Sequence, residues 1–162
     1  MSVHVSERTP TPVPLRFLEL AASIDEAATR AAANTIPKSY RFVLGVQMAD
    51  AGNELAEYAD LSQEFYPSSA LAAFERKKCY SQAIARAKTL KRIMRKAVRL
   101  GIAPADRFER LLSDIGEFVD CARGLKKGVK VKGIESAEDA IRWHKAQIEA
   151  LDALESGDVA PC

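Results

Sequence analysis

The segment from Ala70 to Leu100 constrains this chain most. It carries ten Lys or Arg (Arg76, Lys77, Lys78, Arg86, Lys88, Lys91, Arg92, Arg95, Lys96, Arg99) against one acid, Glu75. Ser68 or Ser69 precedes it as a helix cap, and Gly101 follows as a left-handed terminator. An α-helix advances about 100° per residue. With Lys88 as origin, Lys77, Lys78, Arg92, Arg95, Lys96 and Arg99 project within about −20° to +80°, and Lys91 near −60°. Cys79, Ala83, Ala87, Leu90, Ile93, Met94, Ala97 and Leu100 project to the opposite half. The segment is therefore one helix, with a cationic face about 40 Å long and an alanine-rich face suited to close helix packing.

The rest of the chain supplies partners for that face. Leu15, Leu18, Ala22 and the run Ala28 to Ala33 predict a first helix ending near Asn34. Pro37 opens a second, with Leu44, Met48, Ala51, Leu55, Tyr58 and Ala59 on one side. Its other side is acidic: Asp50, Glu54, Glu57, Asp60 and Glu64. Gly45 and Gly52 lie inside it, which costs about 1 kcal/mol each relative to alanine. They are either tolerated weakness or points of close approach by a neighbouring helix. Pro104 opens a fourth helix with a stripe of Phe108, Leu111, Leu112, Ile115, Val119, Ala122 and Leu125. No strand alternation or Asn-Gly hairpin signal occurs. The expectation is an all-α protein: an antiparallel four-helix bundle over residues 14–125, preceded by a flexible tail, 1–13. A basic linker, 126–133, leads to a short C-terminal helix and tail, 134–162. Ser136 and Asp139 form its capping box, Trp143 serves as its docking residue, and "SGDVAPC" frays.

Charge is sharply divided. The whole chain has 24 basic and 22 acidic residues, so outside Ala70–Leu100 there are 14 and 21. Solvated helix faces usually alternate sign, because like charges at i,i+4 are destabilising by a few tenths of a kcal/mol. Here Lys88, Arg92 and Lys96 stack, as do Arg92, Arg95 and Arg99. Five acids on the second helix cannot neutralise ten bases, and exposed pairs are weak. An external polyanion is the better reading, and the Ala-rich apolar face fits a membrane surface poorly. Nucleic-acid phosphates would give affinity without sequence readout, through Lys77, Lys78, Lys88, Lys91, Arg92, Arg95, Lys96 and Arg99. Arg86 projects into the apolar half, so it snorkels or pairs with a carboxylate.

Catalytic and metal patterns are missing from the sequence. His4 and His144 are the two histidines, and no HExxH, CxxC, GxGxxG or GxxxxGK occurs. No catalytic residue, metal ligand or cofactor is expected. Cys79, Cys121 and Cys162 lie about forty residues apart, neither a disulfide framework nor a metal knuckle. Reduced thiols in a cytoplasm fit best. No apolar run approaches the roughly 18 residues of a membrane span, and "MSVHVSERTPTPVP" has no signal-like apolar region.

At "IPKSYRFVLGVQM" (Ile36 to Met48) and "LKRIMRKAVRLGIAPADRFERLLSDIGEF" (Leu90 to Phe118) the chain resembles a known family. It is similar to the accessory variability determinant (Avd) proteins of diversity-generating retroelements, and to the four-helix-bundle proteins of intervening sequences in large-subunit ribosomal RNA genes. The resemblance covers roughly residues 14–125 and rests on Pro37, Lys38, Arg41, Phe42, Leu44 and Gly45, then the basic helix, the glycine turn, Ile115 and Gly116. Glu117 stands where a basic residue is common in that family. The resemblance implies a barrel-like homopentamer that binds RNA or DNA on a basic surface. It also implies association with a reverse transcriptase that copies a template RNA with adenine mutagenesis. The alternative is a ring-forming scaffold, ribosome- or ribosomal-RNA-associated, with little nucleic-acid affinity of its own.

Overall fold

The computed structural model describes residues 12–131 and 137–156, and every long element among them is a helix. α1 spans Val13–Asn34, with Pro14 in its first turn, where a missing N–H leaves no bond unmade. It takes in Val13, which had been expected in the tail. After Pro37 comes a single turn, Lys38–Tyr40 (α2), then a π-helical turn, Arg41–Gly45, then α3, Val46–Glu64. α4 is the long basic helix, Ala70–Arg99. Its cap is Ser69, whose Oγ accepts from the Ala72 N–H at 3.1 Å. Gly101 takes φ +68°, the left-handed conformation that glycine adopts without a Cβ clash. Pro104 leads into a 3-10 turn, Ala105–Phe108, and α5, Glu109–Gly128. α5 thus absorbs Lys126, Lys127 and Gly128, and the connector to α6, Ala137–Ser156, starts later than expected.

α3 packs on α1 and α4, and α5 packs on the same two, so α1, α3, α4 and α5 close a ring of neighbours. Phe17, Leu55, Tyr80, Leu90, Met94 and Phe118 lie at its centre, each fully buried. Phe17 stacks on Phe118 at 4.8 Å between ring centroids and meets Tyr80 edge-on at 5.5 Å. This aromatic cluster sets the rotation of two helices. α1 buries Phe17, Leu20, Ala21, Ile24 and Ala28, whereas Leu15 and Ala22 are exposed. The expected stripe was one residue, or about 100°, out of phase. In α5 the buried position is Phe118, and Val119 is only half-buried. The stripe of α4 is as expected except Leu100, which falls beyond the last helical residue and is 61% exposed.

The two glycines are points of close approach. A Cβ on Gly52 would lie 2.8 Å from the Ala28 Cβ and 3.3 Å from the Asp25 Cα. One on Gly45 would lie 3.2 Å from the Ala32 carbonyl oxygen. Both serve the contact of α3 with α1 inside one chain. Arg16 adds a tie at the other side of α1: its Nε and Nη2 donate to Glu117 Oε1 and Oε2 at 2.8 and 2.9 Å. Glu117 is therefore held in an ion pair that joins α5 to α1. The proposed tail up to residue 11, Ser136 of the proposed capping box and the end from Gly157 lie outside the described residues.

Candidate nucleic-acid interface

All eight basic residues singled out in the sequence lie on α4. Lys77, Lys78, Lys88, Arg92, Arg95, Lys96 and Arg99 are exposed, and Lys91 is half-buried. The periodicity that buries Ala83, Ala87, Leu90, Met94 and Ala97 turns these cations outward. Lys78 pairs with Glu75 at 3.5 Å. The other seven form no ion pair with any described residue.

The cations border two grooves along the seam between α4 and α5. The first, about 690 Å³, has Lys88, Lys91, Arg92, Arg95 and Arg99 on its rim. Its floor is apolar: Met94, Val98, Ala105, Phe108 and Leu112. The second, about 780 Å³, is lined by Lys77, Ser81, Ile84, Lys88, Arg123, Lys126 and Lys127. Lys88 belongs to both, so the grooves adjoin. Arg123, Lys126 and Lys127 thus extend the basic surface onto α5. Lys126 and Lys127, expected in a basic linker with two glycines over 126–133, instead lie in α5, which continues to Gly128. Arg123 also contacts Asp120 at 3.7 Å.

The acidic side lies elsewhere. Asp25, Glu57, Asp60 and Glu64 line a groove with Asn53, Ala56 and Leu61, on α1 and α3. Burial, and then the neighbouring Glu26, push the Asp25 carboxyl above its usual range. A single pair crosses from α3 to α4: Glu54 Oε2 lies 2.9 Å from Arg86 Nε. That Nε is buried and misaligned for a hydrogen bond, so charge alone holds the pair. Arg86 is therefore a structural pairing residue, and it and Lys78 are the two α4 cations held in ion pairs among the described residues.

The "IPKSYRFVLG" element has its own geometry. Arg41 Nε donates to the Ile36 carbonyl at 3.1 Å and bridges the turn between α1 and α2. Leu44 enters the core and Gly45 abuts α1. The π-helical turn leaves Phe42 90%, Val43 55% and Val46 48% exposed. A second apolar set, Leu71 and Phe74, is exposed at the start of α4.

Cys79 and Cys121 are free, and burial pushes both thiols up, which disfavours the thiolate. No cluster of three or more His, Cys, Asp or Glu side chains could hold a metal ion among those residues. No described helix is long and apolar enough to cross a membrane. No family profile, no curated protein and no solved structure matches the chain.

Proposed function

We propose that this chain is a non-catalytic accessory protein of a diversity-generating retroelement, binding RNA or DNA along the α4–α5 seam. In this reading it associates with the reverse transcriptase and supports mutagenic cDNA synthesis in the cytoplasm. α1, α3, α4 and α5 form an antiparallel bundle, and five copies assemble into a ring. The observation that carries the nucleic-acid part is the row of exposed cations on α4, of which Lys78 alone pairs with a carboxylate among the described residues. Like charges held this close are mutually repulsive, and a polyanion relieves that repulsion while releasing its counterions. The retroelement part rests on the motif resemblance, in which Arg41, Leu44 and Gly45 have definite roles in the turn between α1 and α3.

Co-purification of the tagged chain from its native host, with sequencing of bound RNA and identification of bound protein, tests this reading. A template RNA flanked by near-repeats and a reverse transcriptase are expected. Recovery of ribosomal particles alone would replace it with the second reading, a ring-forming scaffold associated with ribosomal RNA. That second reading is favoured by the exposed Phe42, Val43 and Val46, and by Leu71 and Phe74, which offer apolar surface for assembly.

A further inference from the structure

α6 presents an apolar stripe to solvent: Ile141, Ile148 and Leu151 are 57%, 58% and 60% exposed. On helical coordinates they fall within about 80°, with Asp152 and Glu149 along one edge. Helices in proteins draw most of their stability from packing such an amphipathic face. No extensive packing joins α6 to the other helices. The α4–α5 seam has the opposite pattern, an apolar floor of Met94, Val98 and Leu112 beneath a cationic rim.

We infer that α6 of the same chain lies down along the α4–α5 seam and occupies it, so that nucleic acid and α6 compete for one surface. Lengths and charge both fit. α6 has 20 residues, about 30 Å, and the seam from Lys77 to Arg99 is about 33 Å. Val129 and Val131 pack on the core, and Val129 and Lys130 line a groove with Pro67, Arg76 and Tyr80, so the chain leaves at the end of the bundle where α5 carries Lys126 and Lys127. Six peptide steps from Val131 reach Ala137, at most about 20 Å of extended chain. That is enough for α6 to turn back antiparallel to α5. In that direction its C-terminal half arrives at the groove with five cations on its rim. This half is the acidic one: beyond Lys145, α6 contains Glu149, Asp152 and Glu155 and no base. The negative end of the helix dipole points the same way.

The proposal rests on the nucleic-acid reading only for its consequence, and docking is measured without ligand. Hydrogen exchange of the α6 amides is followed in the full chain, in Ile148→Asp with Leu151→Asp, and in Arg95→Glu with Arg99→Glu. All these side chains are exposed, so the bundle tolerates their replacement. Exchange in the wild-type helix should be at least tenfold slower than in either variant, independent of protein concentration. Affinity for a 20-nucleotide oligouridylate should rise about tenfold in the α6 variant. Slow exchange lost in both variants, with no oligouridylate binding by any protein, would uphold the docking and reject the nucleic-acid reading. Equal exchange in wild type and the α6 variant would overturn the proposal. So would protection that survives Arg95→Glu with Arg99→Glu, because α6 would then pack elsewhere. Protection that grows with concentration would also overturn it, since a second copy would be the occupant.

Discussion

Replacing Gly52 by alanine should destabilise the protein, although helix propensity alone argues the reverse. Alanine is favoured over glycine in a helix interior by about 1 kcal/mol. The new methyl, however, would lie 2.8 Å from the Ala28 Cβ and 3.3 Å from the Asp25 Cα. Optimal carbon separations are about 3.5–4.0 Å, so α1 and α3 must part by roughly an ångström. Neither obstacle is the far end of a flexible side chain. Overpacking of this kind costs about 1–3 kcal/mol, and separating the helices also loosens Leu55 and Met48 behind them. The expected net effect is a loss of up to about 2 kcal/mol after the propensity gain is set against it. Gly116→Ala is the control: nothing lies within 4 Å of its added Cβ, so propensity alone acts and the variant gains up to about 1 kcal/mol. Urea unfolding by circular dichroism measures both, through midpoints at constant m. A Gly52→Ala protein as stable as Gly116→Ala would refute the close-approach argument.

Three further outcomes follow from the same geometry. Arg86→Ala and Glu54→Ala should each lower stability by less than about 1 kcal/mol in urea unfolding, and a double-mutant cycle should give a coupling in the same range, because the pair is more than a third exposed. Asp25→Asn should stabilise the protein at pH 7. The raised carboxyl pKa means the folded state disfavours the charged form, so the advantage should shrink as pH falls through that pKa, read by thermal unfolding from pH 7 to 3. Phe42→Asp in the π-turn, combined with Val46→Asp at the start of α3, should convert an oligomer to a 17.7 kDa monomer in light scattering, without loss of helix content.

Helix boundaries were legible because the punctuation is chemical and local. Ser69 caps α4, Gly101 ends it in the left-handed region, and Pro14 and Pro37 begin or precede helical turns. The outward face of α4 was equally legible, since the apolar residues alternate with cations at one period. Rotation of α1 was not. Leu15 and Leu18 form as good a local stripe as Phe17 and Leu20, and only the stacking of Phe17 on Phe118, about a hundred residues away, decides between them. The close approach of Gly45 to the Ala32 carbonyl was hidden for a similar reason, because it is set by another helix. The site was read as a single helix face because periodicity describes one helix at a time. That Arg123, Lys126 and Lys127 join it depends on the packing of α5 against α4, and on α5 continuing past Leu125.

The claim that the α4–α5 seam is a polyanion site is tested most directly by the salt dependence of single-stranded RNA binding. Fluorescence anisotropy with a labelled 20-nucleotide strand, from 50 to 300 mM salt, yields log affinity against log salt. Each neutralised phosphate on a single strand contributes a slope of about −0.7, so four contacts give about −3. The account predicts a slope at least that steep in the wild type and no measurable binding by Arg92→Glu with Lys96→Glu. Both side chains are exposed, so the variant should keep its unfolding midpoint. Glu57→Lys with Asp60→Lys, on the acidic groove, should bind no more weakly than wild type. A folded Arg92→Glu, Lys96→Glu protein that binds with the wild-type affinity and slope would contradict the account.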